Sequence, residues 1–159
     1  MKVYNKAKHF FMPGGKKRLI LVCTVLAALL SGAVCWANTP QGICFRYFAV
    51  VFPFGASGEV LYDSHGGFLG DGIRLTRFSL GEKAAPLSGK ARQAGWQALP
   101  FPDWLTQHYS AANGTPPEAG IWQYRGTGGH LRPDGKPGNY VLAVLDTQGE
   151  ALYILEYDS

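Results

Sequence analysis

Between two strand-like segments the chain reads Asp63-Ser64-His65-Gly66-Gly67-Phe68-Leu69-Gly70-Asp71-Gly72. Two carboxylates and an imidazole stand close enough in sequence to converge if the glycines fold the loop back on itself. An Asp-x-His pair at a strand end offers two ligands to a divalent ion, and a further carboxylate could activate water there. Asp63, His65 and Asp71 are thus candidate metal ligands, with His130 of Gly128-Gly129-His130 as a helper from elsewhere in the chain. A structural loop explains the same residues. Asp63 and Asp71 can accept hydrogen bonds from loop amides, while Gly66 and Gly67 supply backbone angles that a tight connection needs. The sequence favours the structural loop, with no resident metal or other cofactor; if that loop binds a partner, the candidate residues are Asp63, His65, Gly66, Gly67, Asp71 and His130.

Other chemistries find less support. The glycines do not make a phosphate loop, since no Gly-Lys-Ser/Thr ending follows them. Ser64 beside His65 is no catalytic triad, because triad geometry is assembled from separate elements. Cys44 lies in Ile43-Cys44-Phe45-Arg46-Tyr47-Phe48, an apolar strand or membrane-proximal segment, and reads as a buried structural thiol. His108 reads as a surface or partly buried side chain. Trp96, Trp104, Trp122 and Tyr124 could offer flat faces to a glycan, but in a domain of this size such rings more often fill the core.

The elements that must position the loop are short. Glycine punctuates both halves of residues 38–159, which suits strands joined by turns. Tyr140–Leu145 and Ala151–Leu155 are apolar on both faces, as central strands are, with Gly149 available for a positive φ in the turn between them. Glu59–Tyr62 and Ile73–Phe78 form a second pair, and Ile121–Tyr124 a further strand. Lys90–Ala98, interrupted by Gly95, and Asp103–Ser110 are the helical stretches. The expected fold is α+β, mainly antiparallel sheet with one or two short helices, preceded by an N-terminal apolar export or anchor helix.

That leader reorganises the charge. The 159-residue chain carries 15 Lys plus Arg against 11 Asp plus Glu, a formal net charge of +4. Six of the basic residues and no acidic one precede the apolar run Leu19–Ala37, which leaves nine basic against 11 acidic residues after it, formally −2. The positive charge therefore marks a cytoplasmic flank and gives no support to nucleic-acid binding. Residues 1–37 read as a signal peptide or N-terminal membrane anchor, and 38–159 as one extracytoplasmic domain. Cys35-Trp36-Ala37 resembles a cleavage site, so processing would leave Asn38 first. The alternative is an uncleaved single span in the inner membrane, since the run approaches the length that crosses a bilayer.

Asp63–Gly72, Trp96-Gln97-Ala98-Leu99-Pro100 and the ending Leu152-Tyr153-Ile154-Leu155-Glu156-Tyr157-Asp158 together resemble an uncharacterised family of small exported or lipid-anchored bacterial proteins. That family carries a D-T-H-G-G-F-H-G-D-G stretch, then W-x-x-L-P, and ends in L-Y-Y-x-E-Y-D. The resemblance implies an extracytoplasmic domain and no particular reaction. Leu69 stands where the family pattern has a second His, so this chain lacks one imidazole that a metal site there would use. The expected function is a non-enzymatic cell-envelope domain that binds a protein, lipid or glycan partner, and touches the membrane through its N-terminal segment if that is retained. A small metal-assisted hydrolase built on Asp63, His65 and Asp71 is the alternative.

Overall fold

The computed structural model describes residues 14–37, 39–51, 56–66, 71–131 and 137–158; at residues 14, 15, 17, 40, 129–131 and 137 it describes the backbone alone. The chain divides into two compact units, Met1–Asn38 and Thr39–Ser159. The first contains helix α1, Gly14–Ala37. Its stretch Arg18–Ala37 has a mean hydropathy of 2.4 and 20 residues, none of them buried, and so is long and apolar enough to cross a membrane. At about 1.5 Å per residue those residues span roughly 30 Å, the thickness of a hydrocarbon core. A signal sequence has the same properties. The positions 1–13 and Asn38 lie outside the described residues.

The second unit is α+β. It contains α2 (Pro40–Phe48), β1 (Gly58–Asp63), β2 (Gly72–Ser79), α3 (Ala84–Gln93), β3 (Gln97–Ala98), α4 (Asp103–Asn113), β4 (Gly120–Leu131), β5 (Pro137–Asp146) and β6 (Ala151–Asp158). The strands form one antiparallel six-stranded sheet in the order β1-β2-β6-β5-β4-β3. Thus β6, the last strand, sits between β2 and β5 and joins the N-terminal hairpin to the C-terminal meander.

Both faces of the sheet are covered, which is why β5 and β6 read as unbroken apolar runs. On one face Val141, Ala143, Leu145, Leu152, Ile154 and Phe78 pack with Ile43, Cys44 and Phe48 of α2 and with Leu87 and Ala91 of α3. On the other, Leu142, Val144, Leu155 and Leu75 pack with Leu105 and Tyr109 of α4. Leu105 and Tyr109 are four residues apart and therefore share one helical face.

Three local expectations need correction. Residues 43–48 are not a strand but most of α2. Thr39 caps that helix by accepting a hydrogen bond from the Gly42 N–H at 3.2 Å, and Pro40 occupies the first turn, where its missing N–H costs nothing. The helix expected over Lys90–Ala98 begins earlier and ends sooner, as α3. Pro86 is tolerated because it lies in the first turn, and Gly95 does not interrupt the helix but closes it. With Gly95 at φ 85°, its N–H reaches Arg92 O at 3.0 Å and the Trp96 N–H reaches Ala91 O at 3.1 Å, the paired bonds of a Schellman cap. Gly95 thereby turns Trp96 back into the core.

The third correction concerns the β5–β6 turn. The left-handed residue is Glu150, at φ 47°, rather than Gly149. Asp146 Oδ1 accepts from the Gln148 and Gly149 N–H groups at 2.9 and 2.8 Å. A Cβ at Gly149 would meet that same carboxylate and displace the Asp146 side chain from its turn bonds, and the φ of Gly149 is not positive.

Candidate functional site

The polar residues gather at one end of the sheet, and strand register explains why. Asp63 pairs with Arg74, Arg74 with Glu156, and Glu156 with Val141, so these side chains stand in a row on one face. One step along, Gly72 pairs with Asp158. The absence of a side chain at Gly72 lets the β1–β2 loop fold over the start of β2. A Cβ there would lie 2.8 Å from His65 N and 2.9 Å from its Cα.

The folded loop is tied at its neck. The Ile73 N–H donates to Ser64 Oγ at 2.8 Å, and the Ser64 N–H donates to Ile73 O at 2.9 Å. Asp63 Oδ1 accepts from the His65 N–H at 3.0 Å and lies 2.9 Å from the ring Nδ1. Its other oxygen accepts from Arg74 Nε at 3.0 Å. At the far side of the imidazole, Nε2 lies 3.4 Å from Asp158 Oδ2. His65 is therefore a strut between two carboxylates, one from the Gly-rich loop and one from the end of β6.

These contacts set the local charge. The His65 N–H and ring, with Arg74, hold the Asp63 carboxyl at about 2, against an ordinary 3.8. Glu156 moves the other way: burial raises its pKa, Asp158 and Asp63 reinforce the rise, and Arg74 and His65 oppose it. Its Oε1 is buried without a hydrogen-bond partner among the described residues. Burial, with Glu156 nearby, also raises Cys44 well above its ordinary value and keeps it a neutral thiol.

Next to this row lies a cleft of about 140 Å³ between α2 and the end of β6, with Arg46, Tyr47, Thr127, Glu156 and Asp158 in its walls. Of the residues singled out in the sequence, the structure joins Asp63 to His65. Gly66 is exposed beside them, and Asp71 is exposed and forms no ion pair with either. His130 lies on β4, with its backbone alone described; Gly67 and Leu69 lie outside the described residues. Among the described residues, no group of three or more His, Cys, Asp or Glu side chains is arranged to hold a metal ion.

Sequence reasoning missed Arg74, Glu156 and Asp158 as members of this cluster. It also missed a second polar feature on the opposite face. His108 of α4 stacks on Tyr157 at 4.5 Å between ring centroids, and its Nδ1 lies 2.6 Å from the hydroxyl of buried Tyr140. Trp104 packs edge-on against Tyr124 and Tyr140. Trp122 belongs to this aromatic face, whereas Trp96 is buried on the other side of the sheet, so the tryptophans do not form one platform.

Comparison of the chain with family models, with curated proteins and with solved structures gives no match.

Proposed function

We propose that residues 38–159 form a non-enzymatic binding domain of the cell envelope, exported behind the apolar α1 helix. The observation that carries this reading is the state of His65. Both of its ring nitrogens face carboxylates, at 2.9 and 3.4 Å from opposite ends of the ring. A metal ligand needs a free nitrogen lone pair directed at the same point as its partner ligands. Here the imidazole separates Asp63 from Asp158 instead of converging with them. The cluster acts as a clasp that fixes the β1–β2 loop against the end of β6 and holds the adjoining cleft in shape for a protein, lipid or glycan partner.

Export is proposed with Lys16, Lys17 and Arg18 on the cytoplasmic side and cleavage after Ala37. A reporter that works only outside the cytoplasm, fused after Ser159, should be active, and N-terminal sequencing should begin at Asn38. The clasp is tested by melting the protein with and without a chelator at neutral pH. The two melting curves should superimpose; a fall in melting temperature on chelation overturns the reading in favour of a metal site.

A further inference from the structure

The cleft beside the clasp carries charges that do not neutralise one another. On the α2 side, the Arg46 guanidinium carbon lies 4.6 Å from the centroid of the Tyr47 ring, and Arg46 has no carboxylate within ion-pair distance among the described residues. On the β6 side, Glu156 Oε1 is buried with no hydrogen-bond partner among the described residues, and Asp158 forms an ion pair with His65, at 3.4 Å. Arg46, Glu156 and Asp158 nonetheless line the same small cleft. A buried carboxyl oxygen left unsatisfied is costly, and a guanidinium and carboxylates facing one space without pairing leave room for a group that pairs with both.

We propose that this cleft binds a compact zwitterion, a molecule with a primary ammonium two or three bonds from an anionic group, its anion on Arg46 and its ammonium between Glu156 and Asp158. Arg46 suits the anion because the guanidinium fork matches carboxylate and phosphate oxygens alike. The Tyr47 ring beneath it holds the guanidinium by a cation–π contact and thereby limits its motion. Small volume excludes long side chains, so selectivity falls on the charged core of the ligand. A free α-amino acid and the phosphoethanolamine headgroup of a lipid share that chemistry. The inference rests on the reading of this end of the sheet as a binding site.

Isothermal titration of the full chain in detergent micelles tests it, with L-alanine and O-phosphoethanolamine as probes and acetate and methylammonium as single-charge controls. At least one zwitterion should bind one molecule per chain, at least tenfold more tightly than either control. Saturation by alanine alone assigns a free amino acid, and saturation by phosphoethanolamine alone assigns a lipid headgroup. Arg46→Gln should weaken binding at least tenfold; Arg46 is exposed, so the fold is not at stake. Asp158→Asn should weaken it as well. No binding of either zwitterion, equal binding of a control, or full affinity in Arg46→Gln overturns the proposal. If the chelator leaves melting unchanged while neither zwitterion binds, only this ligand class fails; if the chelator lowers melting, the binding-domain reading itself fails.

Discussion

His65 Nε2 lies 3.4 Å from Asp158 Oδ2, so a loop near the start of the domain is fastened to the last residues of its sheet. The contact exists because β6 inserts between β2 and β5, which brings Asp158 opposite Gly72. The clasp is thus a product of topology as much as of the residues that form it.

Gly72 should tolerate substitution less well than His65. Gly72→Ala drives a Cβ into the backbone of His65 and Ser64, which cannot swing aside, and overpacking of this kind costs about 1–3 kcal/mol. His65→Ala removes partly exposed ion pairs, worth about 1 kcal/mol or less. Gly66→Ala should be nearly neutral, since its Cβ would meet only Ser64 O, at 3.7 Å. Chemical denaturation of the three variants gives the order; a His65→Ala loss larger than that of Gly72→Ala contradicts the steric account.

Stability should respond to pH at two carboxyls with opposite signs. Asp63 has a lowered pKa in the folded state, so its contribution is present above its unfolded value near 3.8 and is lost as pH falls toward about 2. Glu156 has a raised pKa, so its contribution is present below its unfolded value near 4.5 and is lost as pH rises through the folded value. The groups around it are Arg74, Asp158, His65, Asp63 and Cys44, with Arg46 across the cleft. Glu156→Gln should therefore raise the melting temperature at pH 8 more than at pH 5, and Asp63→Asn should flatten the acid limb. Parallel melting profiles for wild type and Glu156→Gln would contradict the assignment.

Tyr140→Phe should cost about 1 kcal/mol, the net worth of one hydrogen bond, because the ring and its stacking remain while the contact to His108 Nδ1 is lost. His108→Ala should cost more, since it also removes the stacks on Tyr140 and Tyr157. Equal effects of the two changes would show that stacking contributes nothing.

Truncation before Ala151 should abolish folding. It removes β6, which pairs along its length with both β2 and β5, and bares Leu142 and Leu145 in the two core layers. Circular dichroism and solubility report the outcome; a soluble, cooperative truncated protein would mean that the hairpin and the helices hold together without it.

What the sequence made legible follows range. The two apolar runs ending at Leu145 and Leu155, with a polar turn between them, mark a hairpin through local pattern alone, and the hairpin is there. Helix α2 was harder to see, because Ile43, Cys44, Tyr47 and Phe48 are apolar enough to read as strand unless the Thr39-Pro40 cap is weighed first. For α3, Gly95 carries opposite meanings as a breaker inside a helix and as a closing residue after it, and only the backbone bonds decide. Asp63 and His65 meet because they are two residues apart. Asp158, Glu156 and Arg74 join them through the β2–β6 register, which no local signal encodes. His108 carries no sequence signature either, since its partner Tyr140 is placed by the packing of α4 on the sheet.

The central claim, that Asp63, His65 and Asp158 form a protein-only clasp in a binding domain, is tested most directly by metal content. The full chain, purified without added metal or chelator, should hold zinc, manganese and calcium far below one ion per chain, and His65→Ala should leave that content unchanged. One ion per chain in the wild type, lost in a His65→Ala protein that keeps its fold, would contradict the account.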